Sequence, residues 1–169
     1  MTDHATSANA NGFGALALRT TLWLVLGGWL GAWILFAVGV APIAFRVLPS
    51  SEIAGSLVSP LLRGLHLYGI AAGLGLSCLA LVLRRGPLLG LVPLVLAGLC
   101  AFSEFSITAA ISEVRPQAFG PGATSEAAAR FSSLHTASRG LYSAVAVGVV
   151  ALTMLHSRAD LRAIRLPGR

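Results

Sequence analysis

The chain has 169 residues, 56% of them hydrophobic and 11% charged, with a mean hydropathy of +0.81. Globular chains carry roughly 25% charged residues; this one has too little charge to cover a water-soluble surface, and its apolar residues fall in long blocks that indicate membrane spans. The net charge of +6 comes entirely from arginine, clustered at block ends rather than in a basic soluble domain, which argues against nucleic acid as a partner.

Residues 1–15 are polar and small and read as a flexible tail. The first apolar run, 16–42, exceeds the ~7–15 apolar residues of a signal peptide, so it is expected to be a retained span. In it Trp29, Trp33 and Phe36 make one aromatic stripe for packing or lipid contact, with ligand stacking as the other use. Gly27 and Gly31 form a Gly-x-x-x-Gly face elsewhere on that helix, where a second backbone can approach. Pro42 and Pro49 bracket a helix end at the membrane surface. Ser50 or Ser51 can cap the next helix, with Glu52 favourable in its first turn. Pro60 predicts a kink or break, followed by a span over 61–83 that carries a second small-residue pair, Gly69 and Gly73.

Arg84-Arg85-Gly86-Pro87 reads as a tight turn into the third span, 88–112. Pro and Gly then mark a loop over 116–123, and Thr124 or Ser125 can cap the last helix. No breaker except Gly140 and Gly148 interrupts that helix before His156. It is therefore about 32 residues, or ~48 Å, against a hydrocarbon core of ~30 Å. Its first turns, Glu126 to Ser133, should project from the membrane, leaving a span over 134–156 and a basic tail over 158–169. Gly140 and Gly148 lie on a small-residue seam with Ala144.

The expected fold is thus all-α: an integral membrane four-helix bundle with up-down topology and helical extensions on the non-cytoplasmic side. Arg19, Arg84, Arg85, Arg158, Arg162, Arg165 and Arg169 share the side of the termini, against Arg46, Arg63, Arg115 and Arg130 opposite. That excess places both termini in the cytoplasm, in a bacterial inner (plasma) membrane.

Glu104 stands inside the third span. A carboxylate at that depth is costly and needs a protein partner or a wet cavity. Counted from the cytoplasmic helix ends, Glu104, Arg139 and His66 each lie about 17 residues up, or ~25 Å. His135 lies one turn beyond Arg139. These four residues form a predicted polar cluster between the second, third and fourth spans, with Glu104–Arg139 as its leading pair. Ser103, Ser106, Thr108 and Tyr68 can add hydrogen bonds. A structural clamp is the first reading. A proton or cation path through Glu104 and the histidines, in a small oligomeric transporter, is the second. A haem or metal site with His66 and His135 as ligands is the third. Cys78 and Cys100 differ by ~12 Å in depth, too far for a disulfide, and His156 reads as a lone interfacial residue. No hydrolase, metalloprotease or phosphate-loop motif is present, so no enzyme activity and no cofactor are expected. The expected partners are the lipid bilayer and, through the glycine faces, a second copy of the chain.

Gly27-Gly28 with Phe36, Ala41-Pro42 with Phe45-Arg46 and Leu48, Ala54-Gly55, and the closing Phe131-Ser132-Ser133-Leu134-His135 with Ser138 together resemble the transmembrane protein 205-like family of small four-span membrane proteins. The resemblance covers about Leu22 to Leu155. It departs after Ser138, where that family commonly has Asn and this chain has Arg139-Gly140-Leu141-Tyr142. The resemblance implies an integral membrane protein without an established activity, and it carries no residue roles.

Overall fold

The computed structural model describes the backbone of residues 3–165 and the side chains of residues 13–162. Helix α1 (Asp3–Leu35) passes through a π-helical turn (Phe36–Val40) into α2 (Ala41–Val47). Helix α3 (Ser51–Val82) returns, and α4 (Pro87–Phe102) passes through a second π-helical turn (Ser103–Thr108) into α5 (Ala109–Phe119). Helix α6 (Ser125–Arg165) closes the bundle. Four rods, Phe13–Val47, Ser51–Val82, Pro87–Phe119 and Ser125–Arg162, are long and apolar enough to cross a bilayer. At 1.5 Å per residue they measure roughly 48–57 Å, well beyond a hydrocarbon core of about 30 Å. The chain is an all-α, membrane-spanning four-helix bundle.

Local chemistry sets the corners. Ser50 is in extended conformation and its Oγ accepts from the Ile53 N–H at 3.2 Å, capping α3. Thr124 Oγ1 accepts from the Ala127 N–H at 3.2 Å and caps α6 in the same way. Between α3 and α4 the Arg85 N–H donates to the Ala80 carbonyl and the Arg84 N–H to the Leu81 carbonyl. This double bond pattern is a Schellman motif, and it forces the residue at its centre into the left-handed region. That residue is Arg84, at φ +50°, followed by Gly86 at φ +93°.

The core is a column of Leu22, Leu26, Trp29 and Trp33 from α1, Leu65 and Leu76 from α3, Leu96 from α4, and Val145, Val149 and Leu152 from α6. Helices α3 and α4 pack most extensively. Gly73 makes this contact: a Cβ there would stand 2.6 Å from the Pro93 carbonyl oxygen and 2.8 Å from Ala97 Cβ. Gly69 admits Cys100 and Trp29, and Gly148 admits Leu96. Ser77 Oγ, buried, donates within 2.8 Å of the Gly90 carbonyl and ties α3 to α4. Trp33 and Tyr142 stack at 5.0 Å and exchange hydrogen bonds through Trp33 Nε1 to the Tyr142 carbonyl and the Tyr142 hydroxyl to the Trp33 carbonyl. That clasp joins α1 to α6. Large apolar side chains such as Leu24, Val38, Leu74, Leu81, Leu91, Phe105, Val147 and Met154 face outward, as a lipid-facing surface requires.

Three expectations need amendment. Helix α3 continues through Pro60 without a break. Ala54 and Val58, which precede the proline, pack on Ala44 of α2, which anchors the turns before it. Helix α1 begins at Asp3, within the stretch read as a flexible tail, and α6 runs to Arg165 within the expected basic tail. Residues 1–2 and 166–169 lie outside the described residues. The glycine faces divide: Gly69, Gly73 and Gly148 are seams, whereas Gly27, Gly31 and Gly140 have open space where a Cβ would stand.

Candidate functional site: a buried acid and imidazole

Glu104 is 8% exposed and His66 2% exposed, so both are interior groups. His66 Nδ1 lies 3.1 Å from Glu104 Oε2, which makes the carboxylate the acceptor for an Nδ1–H tautomer. Arg63, one turn before His66 on α3, reaches Glu104 Oε1 with its Nε at 3.5 Å while its side chain remains 67% exposed. Both oxygens of the buried acid are thus engaged, one by an interior imidazole and one by a cation at the exposed rim. The Trp33 ring lies 6.2 Å from the imidazole and forms the wall on the α1 side.

The π-helical turn positions Glu104. It starts at Ser103 and brings the consecutive residues Ser103 and Glu104 both into the interior, while Phe105 and Ser106 face outward. A π turn widens the helix by one residue per turn, and such turns recur at functional sites. The other π turn starts three residues after Trp33, on the helix that walls the site. Two buried polar atoms nearby, Ser103 Oγ and Trp29 Nε1, have no hydrogen-bond partner among the described residues. An unpaired polar atom in an apolar interior is costly, and here two lie in the residues next to the acid and next to the aromatic wall.

Of the four expected cluster residues, the structure brings His66 and Glu104 together and separates His135 and Arg139 from them. Arg139 is exposed and makes no ion pair among the described residues, and His135 is exposed with its ring stacked on Phe131 at 6.1 Å. The expected Glu104–Arg139 pair is therefore replaced by Glu104 with His66 and Arg63. Rotation is the reason. The inward stripe of α6 is Ser138, Tyr142, Val145, Val149, Leu152 and His156. Arg139 follows Ser138 by one residue, about 100° around the helix, so equal depth does not give contact. The same geometry keeps His135 from joining His66 as a second ligand, and no group of three metal-ligating side chains occurs among the described residues. The i, i+3 spacing of Arg63 and His66 was the usable signal for Arg63.

A second polar cluster closes the opposite end of the bundle. Arg85 Nη2 donates to Asp160 Oδ1 at 2.6 Å, and Trp23 Nε1 donates to Asp160 Oδ2 at 3.0 Å. Arg85 Nη1 lies 3.3 Å from His156 Nδ1. His156 is fully buried rather than interfacial, because it stands one turn before Asp160 on the inward face of α6. This network joins α1, the α3–α4 turn and α6. The i, i+4 pair of His156 and Asp160, at the level of the Arg84-Arg85 turn, could have disclosed it.

No family model, curated protein or solved structure matches this chain.

Proposed function

We propose that the protein is an accessory component of a membrane, a four-span bundle whose register is locked by a polar clamp at each end, and that it is not an enzyme. The observation that carries this reading is the double engagement of Glu104 by His66 and Arg63. Paired charges inside a membrane bundle fix which faces of the helices meet, since every other register leaves the acid unpaired in hydrocarbon. The Arg85–Asp160–Trp23 network supports the same role at the other end. The resemblance to the transmembrane protein 205-like family agrees with it. The arginine distribution supports cytoplasmic termini and a bacterial plasma membrane.

Proton handling by Glu104 and His66 is the second reading. It is favoured by the π-helical turn at Glu104 and by the unpaired Ser103 hydroxyl beside it. Glu104→Gln separates the two. The amide oxygen still accepts from the imidazole N–H, but it cannot take a proton. A clamp predicts a folded Glu104→Gln protein with pH-dye leakage in proteoliposomes equal to that of the parent. Measurable proton flux in the parent, lost in the folded variant, would replace the clamp with the proton carrier.

A further inference from the structure

At the end of the bundle that carries the α3–α4 turn, a cavity of about 640 Å³ opens between α1, that turn and the last turns of α6. Arg19, Arg84, Arg158 and Arg162 line it together with the Arg85–Asp160 pair. Asp160 is already bound by Arg85 and Trp23 through both of its oxygens, so it neutralises only one of the five guanidiniums. Among the described residues the other four have no carboxylate partner. Four unneutralised guanidiniums around one cavity repel one another unless an anion joins them.

Three further features point the same way. Arg84 holds a left-handed backbone at φ +50°, in a Schellman position that glycine ordinarily fills, and it lines this cavity. Helix α4 starts at the cavity rim behind Gly86, with no side chain capping its first N–H groups. Those groups and the helix dipole add donors and positive potential for an anion. The remaining wall is apolar, from Leu83, Leu88 and Leu155, and Leu88 is 57% exposed.

We infer that this cavity binds a phosphate-bearing anion, with the planar guanidinium groups as the recognising donors. The apolar wall suits the glycerol and first acyl carbons of an anionic phospholipid, whereas a soluble phosphate needs only the arginines. Arg85 and Asp160, braced by Trp23, form the floor, and the other four arginines supply the charge.

Full-length protein in neutral detergent can be titrated with three probes: short-chain phosphatidylglycerol, short-chain phosphatidylcholine and inorganic phosphate. The variants are Arg84→Gly, which takes the left-handed backbone without strain and so keeps the turn, and Arg158→Gln/Arg162→Gln. Phosphatidylglycerol is expected to bind saturably, to outcompete phosphatidylcholine, and to weaken about tenfold or more in the double variant. Inorganic phosphate that binds as tightly as the lipid, and is lost in the same variants, supports the site and assigns it to a soluble phosphate. Equal binding of phosphatidylglycerol and phosphatidylcholine, or unchanged affinity in both variants with their melting curves intact, overturns the inference.

Discussion

Arg84 holds a backbone conformation that costs a non-glycine residue roughly 1–2 kcal/mol. The Schellman hydrogen bonds impose it, because the chain must reverse within the four residues that separate α3 from α4. Glycine there removes the strain, and its greater freedom in the unfolded chain offsets part of the gain. Arg84→Gly is therefore expected to stabilise the lipid-free protein by about 0.5–1 kcal/mol, read as a higher midpoint in thermal unfolding in detergent. A lower midpoint would show that the Arg84 side chain supports the fold itself. Glu104 poses the opposite case. Replacing it with Leu leaves the buried Nδ1–H of His66 without an acceptor, and an orphaned interior donor costs about 1–3 kcal/mol. Replacing His66 as well removes the orphan. The double variant Glu104→Leu/His66→Leu is thus expected to be more stable than Glu104→Leu alone, and equilibrium unfolding of Glu104→Leu, His66→Leu and the double variant against the parent measures the coupling. A double variant no more stable than the single one would mean that Arg63, not His66, is the energetically important partner.

At the scale of helices, what could be read from sequence was length, depth and end chemistry. The third-span acid, the Arg84–Pro87 turn and capped starts within Ser50–Ser51 and Thr124–Ser125 follow from composition and spacing, and the hydrogen bonds assign the caps to Ser50 and Thr124. Azimuth could not be read in the same way. Helix α6 is apolar around much of its circumference, since lipid and protein interior demand similar side chains, so its pattern does not mark which stripe faces inward. Counting residues along the helix therefore does not tell that Arg139 faces away from Glu104. The π-helical turn at Ser103 has no strong sequence signature, and it rotates the residues that follow it. The small-residue pairs show the same limit: identical in pattern, they differ in whether a neighbour is present. Gly73→Ala would drive a methyl group into the Pro93 backbone, and overpacking of this kind costs about 1–3 kcal/mol. Gly27→Ala and Gly31→Ala meet open space and gain helix propensity, about 0.5–1 kcal/mol each. Opposite signs in thermal unfolding would confirm that α3–α4 is the tight seam. Destabilisation by Gly27→Ala or Gly31→Ala would instead reveal that the α1 face is occupied, by a second copy or by another helix.

For the whole molecule, the two polar clusters lie at opposite ends of one apolar column, and this polarity bears on how the chain sits in the bilayer. The end with the α3–α4 turn holds the Arg85–Asp160 network and four arginines without a carboxylate partner among the described residues, so its field is strongly positive. The other end holds α2, α5 and the capped starts of α3 and α6, where the Arg115 Nη2 donor meets the Glu52 carbonyl at 2.9 Å. Arginine-rich short connections are retained on the cytoplasmic side during insertion, and the Arg84-Arg85 turn spans only the four residues between α3 and α4. The α5–α6 loop should therefore face outward. Ala123→Cys, exposed in that loop, is expected to react with a membrane-impermeant maleimide in intact cells. Leu161→Cys, 51% exposed near the end of α6, should react only after permeabilisation. The native Cys78 and Cys100 lie within the apolar rods, away from the aqueous phase that carries the maleimide, so they leave the labelling background low. Reaction of Leu161→Cys in intact cells, with Ala123→Cys protected, would invert the topology. It would also place the arginine cavity on the side of the membrane away from the cytoplasmic leaflet.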